Sequence, residues 1–560
     1  MLTQYQKDIK HECLEKGSGG LSLPMGSGKT IISLVLAMEY YEETGRPTLV
    51  IAAKTLIAEW IHEIGKFYGS TLVMGVDYVI LHSDYMKPKD MRDFVQPKEL
   101  KIVLTTPELL SKYYKECNIQ NMFVSDEGGN EGTSYAPVTK PFFPMRNPRG
   151  PGILYHNTWA SIFIDEAQKY TNITTIRARA MATVYGDHKW MLSGTMFYEP
   201  KIELILGYHI IINDKTFPRS LLEAKIYIRG DTFPGYNRTM VIREKNEMVG
   251  DDGPKLLKHI VDFEMTREEE CVYLSMKDIM KNIKKQVTKF KLEKNTAEVR
   301  RFSSYLLACL TYLRQIIVCP MLPLASALLD ISSFDKKSEL SKIIVDQMNK
   351  LNLMEWANNE ENACSIRMKK AMHIVKTTHA HEKIIIFTSF RSCLDVFRAF
   401  LEPSLTKGRP VFTIEANMST CKRGRIVQEF SDTTNGVLLL TYDIGAEGLN
   451  LQQCNNIIIM DIWWNGGKIK QAVARCLRYG QTKDVNAYFL TSHTGIENAL
   501  FEKCFKKLIV IDEISSGSKK THVTLLTMNK IIRVIENKEE NVKWNQILNE
   551  RMWMKSTQDI

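Results

Sequence analysis

Long apolar runs, paired cysteines and internal repeats are all missing from this 560-residue chain. No uninterrupted apolar stretch approaches the roughly 18 residues that a membrane-spanning helix needs; the best, around Ile31–Met38, soon meets Glu39. The N-terminus reads MLTQYQKDIK, polar from the start, so neither a secretory signal nor an Arg-rich transit peptide is expected. Eleven cysteines are scattered from Cys13 to Cys504 without one C-x-x-C pair. A zinc finger or redox dithiol needs close pairs, and a disulfide-stapled domain is far shorter. No solenoid-period repeat and no long low-complexity tract is found. These absences exclude membrane and secreted classes and predict an intracellular chain with reduced core thiols.

What is present is an ordinary globular balance, 44% hydrophobic and 25% charged, on a chain long enough for three or four domain-sized pieces. Basic residues outnumber acidic ones 74 to 64, a net charge of +10. That excess is compatible with a polyanionic partner but too small for this length to identify one.

Apolar, β-rich runs alternate with amphipathic helix patterns from the start of the chain. Candidate strands are Thr48–Ala53, Lys101–Thr105 and Ser161–Asp165. Strands alternating with helices imply parallel βαβ units and an α/β sheet. Between Ser125 and Gly152 glycine, proline and charge break the rhythm, predicting a surface insertion or mobile loop. Charged helical patterns then dominate, and strands return at Lys383–Thr388, Val411–Ile414, Gly436–Thr441, Asn456–Met460 and Val485–Leu490. The expected organisation is an α/β lobe over 1–215, a mostly helical insertion and linker over 216–365, a second lobe over 366–505 and a helical tail over 506–560.

The first chemical signal is LPMGSGKT, residues 23–30. Backbone N–H groups across Met25, Gly26, Ser27 and Gly28 can fold around phosphates at a helix N-terminus. Lys29 offers a charge to the β- and γ-phosphates, and Thr30 a hydroxyl to Mg2+. Leu23 stands where the first glycine of the full G-x-x-x-x-G-K-[ST] pattern belongs. A second signal is SIFIDEAQ, residues 161–168, a hydrophobic strand ending in two carboxylates. Open α/β sheets bind ligands at that edge. Asp165 would hold Mg2+, and Glu166 would orient and deprotonate the attacking water. A third is QAVARCLRYGQ, residues 471–481, in which Arg475 and Arg478 stand three apart, the spacing of one helix face. Guanidinium suits planar contact with a γ-phosphate.

Together these segments resemble the superfamily-two helicase-type ATPases and, within them, the SWI/SNF-type DNA translocases. LTQYQ at 2–6 resembles the adenine-sensing Q motif, with Gln6 as the base-reading residue. LVIAAKTLIAEWIHEIGKF at 49–67, TTPELL at 105–110 and LSGT at 192–195 resemble the motifs that follow. FEMTREEECVY at 263–273 and LRQIIVCPML at 313–322 are similar to the segments between the lobes. KIIIFTSFRSCLDVF at 383–397 and the stretch 438–465, ending in DIWWN, resemble motifs IV and V. The chain departs from the family at Ala53 and Met196, where proline is usual, and at Gln168, where histidine is usual.

The resemblance implies two RecA-like lobes that hydrolyse ATP with Mg2+, with Gly448 adding to the ATP site. It assigns coupling between the ATP and nucleic-acid sites to Gln168, Ser193, Gly194, Thr195 and Gln471. Phosphate-reading contacts to a nucleic acid fall to Lys54, Thr55, Thr105, Thr106, Ser389, Arg391 and Thr441, with Trp463 and Trp464 stacking or wedging. The implied partner is double-stranded DNA, moved along without wholesale unwinding. A strand-separating DNA or RNA helicase and a non-catalytic nucleic-acid-binding scaffold are the alternatives. Compact motors of this kind resemble those of large DNA viruses, which implies a role in transcription or genome maintenance. RNA polymerase or another protein would select the target, in a nucleus, a viral replication site or the cytoplasm.

Overall fold

The computed structural model describes residues 2–501, apart from 24–25, 70, 120–122, 127–132, 142–151, 195, 197–201, 230–235, 244–253, 333–338, 353–354, 357–358, 447–448, 450, 464–465, 478–480 and 493. They fall into two compact units, the first ending its described residues at Arg243 and the second beginning at Pro254.

The first unit holds strands β1 (Gly19–Ser22), β2 (Thr48–Ile51), β3 (Tyr78–Leu81), β4 (Ile102–Thr105), β5 (Val124–Asp126), β6 (Thr133–Tyr135), β7 (Trp159–Ile164), β8 (Gly186–Ser193) and β9 (Met240–Ile242). Seven of them form one sheet in the order β3-β4-β2-β7-β8-β1-β9. Every pairing in it is parallel. Its central strands are aliphatic runs buried along their whole length, as a sheet covered on both faces requires. Side chains alternate between two cores. Leu49, Ile51, Ile162 and Ile164 enter one, and Val50 and Phe163 enter the other.

Helix α1 (Gln4–Lys16) starts at a reciprocal capping box between Thr3 and Gln6. Helix α2 (Lys29–Thr44) follows the glycine loop directly, and α3 (Lys54–Tyr68) follows β2. The three expected strands of this unit are present within one or two residues, whereas β1, β3, β8 and β9 were not among the expected strands. Two glycines mask β1. A Cβ on Gly19 would stand 1.7 Å from the Thr239 carbonyl oxygen, and one on Gly20 would stand 2.9 Å from the Tyr208 hydroxyl. Distant neighbours, and not strand propensity, dictate those residues.

The stretch 125–152 is not all surface. β5 and β6 pair as an antiparallel hairpin, and Tyr135 and Val138 enter the core. Residues 127–132 and 142–151 lie outside the described residues.

The second unit holds β10 (Leu256–Asp262), β11 (Ile384–Thr388), β12 (Val411–Thr413), β13 (Val437–Thr441), β14 (Asn456–Ile459) and β15 (Val485–Thr491), an all-parallel sheet in the order β10-β15-β14-β11-β13-β12. All five strands expected here are present. The stretch 216–365 is largely helical, as expected, but it also supplies an edge strand to each sheet, β9 to the first and β10 to the second. Its longest helix, Arg267–Leu292, opens on a Thr266–Glu269 capping box, with Glu268, Glu269 and Glu270 at its positive end and Lys289 and Lys291 at its negative end. Among the described residues no helix is long and apolar enough to cross a membrane.

Candidate active site

The glycine loop lies at the carboxyl end of β1. Gly26 and Gly28 both take φ of +82°, the left-handed region open to glycine, which turns successive amides toward one side. Gly28 caps α2, so the amides at the helix start face the same space. A Cβ on Gly28 would stand 2.4 Å from Gln6 Nε2 and 2.9 Å from Ile31. The loop therefore has no room for a side chain at position 28. Gln6 Nε2 donates to the Ser27 carbonyl at 3.2 Å, tying the proposed base-reading residue to the phosphate loop. Lys29 Nζ donates to the Leu23 carbonyl at 3.0 Å. The Ser27 hydroxyl is buried without a hydrogen-bond partner among the described residues. Thr30 is half-buried on the first turn of α2. Met25 lies outside the described residues.

β7 delivers the two carboxylates. Asp165 continues the ladder through its N–H to the Ile51 carbonyl at 2.9 Å. Its Oδ1 accepts the Glu166 N–H at 2.8 Å, and its Oδ2 accepts the indole N–H of Trp60 at 2.9 Å. Burial and the adjoining Glu166 charge push the Asp165 carboxyl above its ordinary range, against the pull of the Trp60 hydrogen bond. Glu166 itself takes φ 48° and ψ 42°, a left-handed conformation that costs a non-glycine residue about 1–3 kcal/mol. The strain turns the chain sharply off the strand, and Gln168 holds the displaced carboxylate by donating Nε2 to Glu166 Oε2. Ser193 lies opposite Ser22 in the β8–β1 register, and its carbonyl accepts the Leu23 N–H at 3.2 Å. The LSGT segment therefore touches the phosphate loop through backbone. Gly194 follows β8, and Thr195 lies outside the described residues.

The sequence reading missed Trp60 as a partner of the acidic pair. Trp60 entered that reading only through its spacing to Glu63 in the segment 49–67 that resembles a family motif, and it is 1% exposed.

Two expected nucleic-acid contacts are corrected. Thr105 is fully buried at the end of β4, where its hydroxyl donates across to the Leu81 carbonyl at 3.4 Å. Thr106 is also buried, and its hydroxyl caps the helix Pro107–Glu116 through the Leu109 N–H. Both serve the sheet edge. Lys54 is exposed and pairs with Asp84 at 2.6 Å, and Thr55 beside it is half-buried.

In the second unit Arg391 is exposed and pairs with Glu415 at 2.6 Å, and Thr441 ends β13 half-buried. The N–H of Ser389 donates to Asp461 Oδ1 at 2.8 Å, and its hydroxyl donates to Asp461 Oδ2. The Trp463 ring has Lys468 at 4.9 Å from its centroid. Gln471 lies on the helix Gly466–Ala474. Arg475 follows in a turn and is 3% exposed; the residue with which it was expected to share a helix face, Arg478, is not among those described. Arg478, Gly448 and Trp464 lie outside the described residues.

A parallel sheet carrying a glycine-cradled phosphate loop, with two carboxylates leaving a buried strand two places away, defines a nucleotide-hydrolysing lobe. The SNF2-related domain matches residues 9–322, and the helicase conserved C-terminal domain matches residues 367–480. The chain belongs to the SNF2-related family and is a helicase-type, nucleic-acid-dependent ATPase. It is 28% identical to the helicase-like protein 172L of Invertebrate iridescent virus 6, over 90% of this chain and 87% of that protein. It is 24% identical to the ATP-dependent DNA helicase DDM1 of Arabidopsis thaliana, over 88% of this chain and 58% of that one. The chain thus spans most of the viral relative but little more than half of the plant protein. The SWI2/SNF2 ATPase core of Sulfolobus solfataricus, solved with double-stranded DNA, covers 96% of this chain and 98% of its own at 20% identity and a TM-score of 0.35.

Proposed function

We propose that this ATPase is a motor that translocates on double-stranded DNA. The observation that carries the ATP half is the Trp60–Asp165–Glu166–Gln168 arrangement beside the left-handed glycine loop. The Gly26–Gly28 amides and Lys29 take the phosphates, and the Ser27 hydroxyl, which has no partner among the described residues, supplies one further donor. Gln6 reads the base. The donor set of one hydroxyl and one carboxylate suits Mg2+, which prefers hard oxygen ligands; Thr30 and Asp165 would hold it, and it would neutralise phosphate charge. Glu166 accepts a proton from the attacking water as the γ-phosphoryl bond breaks, leaving ADP and phosphate. Arg475 and Arg478 sense the γ-phosphate.

The DNA half rests on the family and on polar groups at the ends of sheet strands. Lys54, Thr55, Ser389, Arg391, Thr441, Trp463 and Trp464 remain as contacts to a strand; Thr105 and Thr106 do not. The role we read for it is transcription or genome maintenance, at a viral replication site or in a nucleus, with targeting by RNA polymerase or another protein; the viral relative supports only a helicase of viral kind.

Turnover measured with duplex DNA, single-stranded DNA and RNA, beside triplex displacement and strand separation, tests this. Duplex stimulation with triplex displacement and no unwinding supports translocation. Strand separation makes the protein a helicase instead.

A further inference from the structure

Arg314 is held more tightly than any hydrolytic role requires. It sits in the last turn of the helix Thr296–Ile316 and is 3% exposed. Its guanidinium carbon lies 4.9 Å from the Phe390 ring centroid and 4.8 Å from that of Trp463. One terminal nitrogen donates to the Ser389 hydroxyl at 2.9 Å and to Asp461 Oδ2 at 3.4 Å.

Asp461, 1% exposed, is the hub of this cluster. Its Oδ1 accepts the Thr388 hydroxyl at 2.7 Å, beside the Ser389 N–H, and its backbone carbonyl accepts the Tyr442 hydroxyl at 2.7 Å. Thr388 ends β11, Tyr442 directly follows β13, and Asp461 lies two residues beyond β14. Asp461, through its carboxylate and its backbone carbonyl, thus binds together the carboxyl ends of three neighbouring strands, and Arg314 braces its carboxylate.

A buried ion pair is a poor stabiliser, because desolvation cancels most of its attraction; its attested use is to select one arrangement over others. The chemistry here is specific to arginine. A flat, weakly hydrated cation can lie against two rings while its edge donates to two oxygens, and an ammonium cannot do both.

We propose that Arg314 is a positioning residue for the DNA grip. It holds Ser389 and Trp463, and so links the helical segment Thr296–Ile316 to duplex-stimulated turnover without touching DNA or ATP itself. The inference rests on the reading of Ser389 and Trp463 as strand contacts.

The test uses the full chain and the conservative variant R314K, which keeps the charge and the length. Folding is monitored by thermal midpoint. The duplex concentration giving half-maximal stimulation is expected to rise about tenfold, the effect of losing roughly 1.4 kcal/mol of placement, while turnover at saturating duplex stays within about twofold. S389A should raise the same concentration, and R314K/S389A should be no worse than the poorer single variant, since both act through one contact. An unchanged half-stimulating concentration in folded R314K overturns the proposal. So does an equal fall in saturated turnover, or additive effects in the double variant.

Trp463 emission, taken as the parent spectrum minus that of W463F, gives a reading independent of DNA. R314K is expected to change it, because the cation leaves the ring face. If duplex never stimulates the parent, the DNA reading fails; if the Trp463 emission is also unchanged in R314K, the positioning claim fails separately.

Discussion

The indole N–H of Trp60 and the backbone N–H of Glu166 divide the Asp165 carboxylate between them, one at 2.9 Å on Oδ2 and the other at 2.8 Å on Oδ1. A carboxylate gripped on both oxygens keeps one orientation. Trp60 belongs to α3, which follows β2, and β2 is the direct neighbour of β7, the strand that Asp165 follows. The helix that follows one strand therefore aims the carboxylate beyond the strand beside it in the sheet.

W60F keeps nearly all of the buried ring and removes the donor. Partners of this kind typically cost 10–100-fold in metal affinity or activity, and a loss of that order in turnover is expected, with a raised Mg2+ requirement. Nucleotide binding without Mg2+ should be little changed. Titration of turnover against Mg2+ checks this, and parent-like titration would remove Trp60 from the site.

E166Q should abolish steady-state turnover, a loss of at least about 100-fold, while fluorescent nucleotide still binds. The amide remains able to orient water but cannot accept its proton. Hydrolysis at the parent rate would dismiss Glu166 as the base.

Thr105 and Lys54 offer a paired test of the corrected DNA surface. T105V replaces the buried hydroxyl with a methyl of similar shape and should leave the half-stimulating duplex concentration where it was. K54A should raise that concentration and flatten its dependence on salt, since a lysine that touches phosphate contributes one released counterion. A DNA defect in folded T105V would return Thr105 to the interface.

Lys189 predicts a pH dependence of stability. It is 2% exposed on β8, and its ammonium group caps the Ala182 carbonyl at 3.1 Å. Burial first, and then the Arg219 charge, lower its pKa to about 7 from an ordinary 10.5. Between those values the unfolded chain holds the proton and the folded chain does not, so stability rises with pH. The penalty is full below pH 7 and vanishes as pH approaches 10.5. K189M escapes it but loses the helix cap. The stability of K189M relative to the parent should therefore fall steadily from pH 7 to pH 10 in denaturant melts; a constant difference would show that Lys189 is charged in the fold.

The chemistry of the ATP site was legible because it is local. Glycine at 26 and 28 with lysine at 29, and two carboxylates after a run of apolar residues, each stand together within one short segment. Eight strands were legible for a related reason: a parallel sheet covered on both faces selects short aliphatic runs wherever a strand is central. β1 escaped because the Thr239 carbonyl and the Tyr208 ring, far along the chain, leave space only for glycine at 19 and 20.

Contacts across long sequence separations were decided by folding alone. Nothing near Trp60 announces Asp165, 105 positions later, and nothing near Arg314 announces Asp461, 147 positions later. A hydroxyl at the end of a strand, such as that of Thr105, reads the same whether it faces solvent or donates inward to Leu81. Sequence pattern sets what each residue can do and which face of its element it takes. Only packing brings the partner, and the partner decides whether a polar group grips a ligand or completes the core.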